Sequence, residues 1–292
     1  MPLVSFHPLG SSGKASLLKL FHHRSLSAGE VEYGKSRLYT AAASEFVIKG
    51  KYSIMQDMRV NKLHGWDVGV GQAKETQLSL ARDVVTENAV INPRLVAGID
   101  ISSPDARGLA RGAVVVLCYP EFRIVEVEVA EDRISFPYVP GLLSFRESPL
   151  ILAACEKLSN APDLVLVDGQ GIAHPRRFGL ASHLGLFLDL PTIGCAKSIL
   201  CGQHQPLGEE PGSHVELLDH GEIVGAALRT KSGVKPIYVS VGHKIDLASA
   251  LQWVIECCRG HRLPEPTRLA HLAAAGSSLV EPDYRGRGVR AR

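Results

Sequence analysis

Asp163-Leu164-Val165-Leu166-Val167-Asp168-Gly169-Gln170-Gly171 reads as a short buried strand that ends on an acid and opens into a glycine-containing loop. The run Leu164 to Val167 is apolar throughout and of strand length. Upstream, Leu95 to Ile101, Gly112 to Cys118 and Phe122 to Ala130 are strand-like runs separated by Gly, Pro and Asp, the pattern of an antiparallel meander. Around the buried strand the pattern alternates: a helix over Ser144 to Leu158, another over Gly179 to Leu188, then a strand at Thr192 to Ala196. Strands at His214 to Leu218, Ile223 to Arg229 and Ile237 to Ser240 follow, then helices at Ile245 to Cys257 and Pro266 to Ala275. Before the meander, Leu78, Leu80, Ala81, Val84 and Val85 predict the apolar face of a helix from Gln72 to Val90, ended by Pro93. The order is that of an α/β protein with a mixed sheet, in which acids at strand ends gather on one edge.

A chain of 292 residues, 45% hydrophobic and 21% charged, buries a substantial core. No apolar run approaches the roughly 20 residues that span a bilayer. Residues 1–20 lack a signal-peptide pattern, because Gly10 to Lys14 interrupt it. The six cysteines form no C-x-x-C pair, so they read as reduced, buried thiols of a cytoplasmic protein with no membrane partner. A net charge of +2 announces no global basic field, although local patches suffice for phosphate contacts. Residues 1–65 form an extension with no sustained period, and 276–292 a basic tail bearing Arg285, Arg287, Arg290 and Arg292. Met55 and Met58 lie just before the first strong helix signal, which raises a translation start there as an expectation.

Asp100 and Asp168 both sit where a buried strand runs out. Two converging carboxylates cannot both stay ionised cheaply without a cation, and Mg²⁺ asks for only one or two carboxylates plus water and phosphate. Glu147 has two readings: a metal-site acid, or the third position of a capping box begun by Ser144. The loop Pro137-Tyr138-Val139-Pro140-Gly141 is stiffened by two prolines and holds Tyr138 outward, as a wedge into a base stack would require. Asp168 to Arg177 combines an acid, two glycines, His174 and two cations, equipment for phosphate and base; His174 at the third glycine position speaks against a dinucleotide fingerprint. Lys197 follows a strand and His243 precedes a helix. Beside a metal, such a lysine stabilises phosphate charge and such a histidine handles attacking water. His183 lacks zinc-pair spacing and reads as a packing residue.

Across residues 66–275 these segments resemble the endonuclease V family, the deoxyinosine 3′ endonucleases. The resemblance is carried by Gly98-Ile99-Asp100, the Pro-Tyr-Val-Pro-Gly loop with Phe145-Arg146-Glu147, Asp168 to Arg177, Ala196-Lys197-Ser198, Gly242-His243 and Leu263-Pro264-Glu265-Pro266-Thr267-Arg268. It implies an RNase H-like mixed sheet flanked by helices in a single catalytic domain. It also implies a Mg²⁺ centre, with Mn²⁺ able to substitute, on Asp100, Glu147 and Asp168, supported by Lys197 and His243. Tyr138, with Pro137 and Val139, matches the wedge, and Gly171, Ile172 and His174 the pocket for the extruded base. The implied reaction, by a monomer on DNA containing deoxyinosine or other deaminated bases, cuts the second phosphodiester bond 3′ to the lesion and leaves 3′-hydroxyl and 5′-phosphate ends. Alternatives are a ribonuclease for inosine in single-stranded RNA, a catalytically silent binder of damaged or mismatched nucleic acid, and a small-molecule phosphohydrolase. Clustered acids, which repel phosphate, speak against the binder.

Overall fold

The computed structural model describes residues 58–279; Met55, the Arg285 to Arg292 tail and the rest of the first 57 residues lie outside that range. All eight predicted strands form: β1 (Leu95–Ile101), β2 (Leu109–Cys118), β3 (Ile124–Arg133), β4 (Leu164–Val167), β5 (Thr192–Ala196), β6 (His214–Asp219), β7 (Glu222–Leu228) and β8 (Ile237–His243). They make one sheet in the order β3-β2-β1-β4-β5-β8-β7-β6. The meander β1-β2-β3 is antiparallel, β1, β4 and β5 run parallel, and β8 turns the sheet antiparallel again.

The sheet is central because its middle strands are apolar on both faces, and successive side chains alternate between them. Val96, Leu164 and Leu166 face one core, which is closed by Val254 of α4 (Leu247–Glu256) and Leu269 of α5 (Glu265–Ala274). Their neighbours Ala97, Ile99, Val165 and Val167 face the other, which is closed by Ile151 of α2 (Leu143–Cys155) and Leu184 of α3 (Leu180–Leu188). Residues at the start of the described chain join this second core: Met58 and Val60 pack against it, Asn61 N donates to Phe187 O at 2.7 Å, and Trp66 stacks on Phe187. His64 Nε2 meets His183 Nε2 at 2.7 Å inside the same aromatic cluster, so His183 is a packing residue, fully buried.

Two local expectations fail. The first helix, α1 (Val70–Leu80), gives way to a 3₁₀ turn at Ala81–Asp83 rather than running to Val90. Beyond it the backbone pairs with the end of β8 instead, through Lys244 N to Val85 O at 2.7 Å and Ala89 N to Lys244 O at 3.0 Å. Its buried positions are Ala73 and Gln77, one turn apart, while Leu78 is 55% exposed, so the face read as the packing face is only partly covered. Nor does Ser144 begin a capping box. The N-cap of α2 is Leu142, without a side-chain cap, and Ser144 lies inside the first turn. Among the described residues no helix is long and apolar enough to cross a membrane.

Candidate active site

The register of β1 and β4 builds the centre. Ile99 is opposite Val167 in a parallel pair, so the next residues, Asp100 and Asp168, arrive side by side at the edge, roughly 4.8 Å apart in backbone terms. Asp168 N donates to Ile99 O at 3.0 Å and locks that placement. Asp100 lies on the same alternation as Val96 and Gly98, toward α5. A Cβ on Gly98 would sit 1.9 Å from Pro266 O, so only glycine lets the start of α5 lie directly on β1. That contact carries His271 down to Asp100, with Nδ1 2.7 Å from Asp100 Oδ2. Asp100, Asp168 and His271 each offer a ligand atom within 4.8 Å of the others, the one such group of three among the described residues.

Glu147 approaches from α2, in the opposite layer. It is half-buried. Burial, then the charges of Asp100 and Asp168, push its carboxyl up to about 8 despite Arg146. Burial and Asp100 also raise Asp168, opposed by Lys197 and His271. The three acids therefore sense one another, and the cost of ionising them together is visible in these shifts. Lys197 leaves β5 at the same edge, since β5 runs parallel to β4, and its ammonium forms an ion pair with Asp168 Oδ2. A second tie between the loops runs from Gln170 Nε2 to Ser198 O at 2.8 Å. The donor set of carboxylate oxygens and one imidazole, short of positive charge, suits a hard or borderline divalent ion.

His243 is not brought to this edge. It pairs with Thr192 at the beginning of β5, whereas Lys197 follows the end of that strand. Its Nδ1 accepts from Val85 N at 3.2 Å, Asp189 lies 3.9 Å from its Nε2, and burial, then Lys244, lowers its pKa. The antiparallel direction of β8, invisible in the local sequence, carries it to the far end. His271 takes the place expected for a histidine. Its only sequence signal was its position four residues after Thr267 on α5, with nothing to indicate a partner.

The loop after Asp168 also differs from expectation. A Cβ on Gly171 would sit 1.9 Å from Val241 O, and Gly171 N and Ile172 N donate to Ser240 Oγ and Val241 O, both at 2.8 Å. Gly171 is thus a glycine for strand packing, and the amides of both residues are spent inside the protein. His174 is 2% exposed, and its Nδ1 accepts from Arg176 N at 3.1 Å, so its proton sits on Nε2 and is donated to Gly141 O at 2.9 Å. Burial lowers this imidazole to about 4. Neither ring nitrogen is left for a base. The two arginines read as phosphate-binding cations are likewise engaged: Arg176 with Gln77 and Gly141, and Arg177 with Asp219 and Glu222.

Tyr138 stands at the surface. It is 72% exposed, between the exposed Pro137 and a Val139 that packs inward on the Phe136, Leu142 and Phe145 cluster. A groove of about 890 Å³ lies elsewhere, lined by Ile223, Val241, Leu251 and Ile255, and includes none of the acids.

Comparison with known proteins agrees with this geometry. The family model described as Endonuclease V matches residues 78–272. An endonuclease V of Dehalococcoides mccartyi is 52% identical over 219 residues, covering 75% of this chain and 98% of its own. The crystal structure of endonuclease V from Streptomyces avermitilis is 41% identical with a TM-score of 0.69, covering 76% of this chain and 97% of the other. Endonuclease V of Ciona intestinalis, solved with a 23mer DNA containing an inosine followed by a ribo-adenosine, is 28% identical with a TM-score of 0.60, covering 71% and 95%.

Proposed function

The chain belongs to the endonuclease V family and is a nuclease of RNase H-like fold, and from that premise we propose that it is a Mg²⁺-dependent repair enzyme for DNA containing deoxyinosine. It hydrolyses the second phosphodiester bond 3′ to the lesion and leaves 3′-hydroxyl and 5′-phosphate ends. The observation that carries the reading is the in-register meeting of Asp100 and Asp168 under His271, with Glu147 electrostatically coupled to both. The Ciona relative bound to inosine-containing DNA supports the substrate class.

Asp100, Asp168 and His271 would hold the ion, and Mn²⁺, which like Mg²⁺ takes carboxylate oxygens, would substitute for it. The ion, when bound, supplies Lewis-acid polarisation of the phosphate and a more acidic water. Glu147, whose carboxyl burial and the charges of Asp100 and Asp168 raise in the metal-free site, completes the set of acids that would face the ion. Lys197, anchored on Asp168 yet 39% exposed along its side chain, offers positive charge to the phosphate. Tyr138 fills the gap that the extruded nucleotide leaves. Extrusion costs a few kcal/mol and least for a weakly paired base, which favours deaminated sites before any pocket contact forms.

A duplex with a single inosine, incubated with Mg²⁺ and mapped on a sequencing gel, tests the reading. The expected nick falls at the second bond 3′ to inosine and disappears with a chelator. Tight binding without a nick, or cutting at another bond, refutes it. One observation favours a second reading, inosine in single-stranded RNA: the strand bound by the Ciona enzyme carries a ribo-adenosine after the inosine. Matched DNA and RNA substrates of one sequence separate the two.

A further inference from the structure

Gln77 is fully buried on a helix whose Leu78 is exposed. A glutamine in that position is kept only if its amide is saturated, and it is. Its Nε2 donates to Ser144 Oγ at 3.3 Å, in the first turn of α2, and to Phe178 O at 3.2 Å. Its Oε1 accepts from Arg176 Nε at 2.6 Å. The same guanidinium continues through Nη2 to Gly141 O at 2.6 Å, the carbonyl that also receives His174 Nε2–H. Gly141 closes the loop bearing Tyr138, and Leu142 N donates back to Val139 O at 2.9 Å. One buried amide and one guanidinium thus join three segments distant in sequence: the first helix, the wedge loop and the loop that leaves Asp168.

We infer that Gln77 and Arg176 are a positioning pair that sets the Tyr138 loop at a fixed height above the acid edge, and that through this loop they determine discrimination between damaged and undamaged strands. The inference rests on the proposed wedge role of Tyr138. Its physical basis is that Tyr138 itself is exposed, so its loop is set by what holds its two ends: Phe136 and Val139 in the aromatic cluster, with Phe136 O accepting from Arg146 Nη1, on one side, and the Gly141 carbonyl, which accepts from both Arg176 and His174, on the other. Arg176 suits the task because a planar guanidinium spans two acceptors at fixed geometry, which an ammonium cannot do.

The test compares Gln77→Met and Arg176→Lys with wild type, each alone and combined with Tyr138→Ala, in the full chain with Mg²⁺. The readout is the ratio of kcat/KM for an inosine duplex to that for the same undamaged duplex, with kcat and KM separated and melting temperature recorded. The expected result is a ratio reduced roughly ten- to hundredfold, carried mainly by KM for the inosine duplex, since small misplacements of positioning groups have effects of that size. In the Tyr138→Ala background the same substitutions change the ratio by less than about twofold, because the loop no longer carries its wedge. A merely structural role lowers the active fraction for both substrates alike and leaves the ratio unchanged in every background; that result overturns the inference. If Gln77→Met does not fold, Arg176→Lys decides alone. If Tyr138→Ala leaves discrimination intact, the wedge reading fails; if Tyr138→Ala lowers it and the pair does not, only the positioning inference fails.

Discussion

Two polar regions lie in the interior and differ in how their charges are balanced. At the acid edge, Asp100, Asp168 and Glu147 face Lys197 and His271, and two of the carboxyls are pushed upward by burial and mutual repulsion. A short distance along the loop that leaves Asp168, His174 and Arg176 form a network with Gln77 of α1 in which the glutamine and histidine atoms named above all have partners. The saturated network contributes rigidity and no chemistry. The unbalanced one is costly to ionise without a cation, the usual sign that a site is built for reaction rather than stability.

The largest test of that contrast is removal of an acid. Asp168→Ala or Asp100→Ala reduces cleavage by about a thousandfold or more, the loss of several kcal/mol of charge stabilisation, while thermal melts of the metal-free protein show little loss of stability. A large drop in melting temperature with residual cutting places these acids among the structural groups instead. Next comes the pair of histidines: His271→Ala lowers activity at limiting Mg²⁺ roughly ten- to hundredfold, with recovery as Mg²⁺ is raised. His243→Ala leaves the Mg²⁺ dependence where it was and lowers stability by about 1–2 kcal/mol, since Val85 N loses its acceptor. An interchange of these two phenotypes breaks the assignment.

On the saturated side, Gln77→Met costs about 2–3 kcal/mol in urea unfolding, because Arg176 Nε and Phe178 O lose their partner in a buried setting. A further effect is in pH. Glu147 has a folded-state pKa of about 8 against an ordinary value of 4.5. The folded form therefore binds its proton more tightly, and the stabilisation is complete below pH 4.5, falls as pH rises between the two values, and is gone above about 8. Metal-free melting temperatures decline across that window in wild type, and the decline is shallower in Glu147→Gln. A Glu147→Gln curve as steep as wild type refutes this origin.

Periodicity made the strand set and four of the five α-helices legible, because a buried central strand such as Leu164 to Val167 has no other pattern. Strand-end position marked Asp100 and Asp168, and proline spacing marked the Tyr138 loop. Failures arose where one residue's role depended on a partner distant in the chain. Gln77 reads as surface on a helical wheel, since nothing local announces the arginine and the carbonyl that saturate it. Gly171 reads as a ligand glycine until β8 is found against it.

His243 and His271 make the same division at the site itself. By itself, the sequence determined that the chain alternates into a mixed sheet, that acids stand at strand ends, and that these motifs belong to one nuclease family. Which histidine joins the acids was decided only by tertiary structure: the direction of β8 sends His243 to the far end, and the bare surface at Gly98 lets α5 lower His271 onto Asp100. Strand direction and interlayer distance are set by packing across the whole sheet, and no window of neighbouring residues contains them.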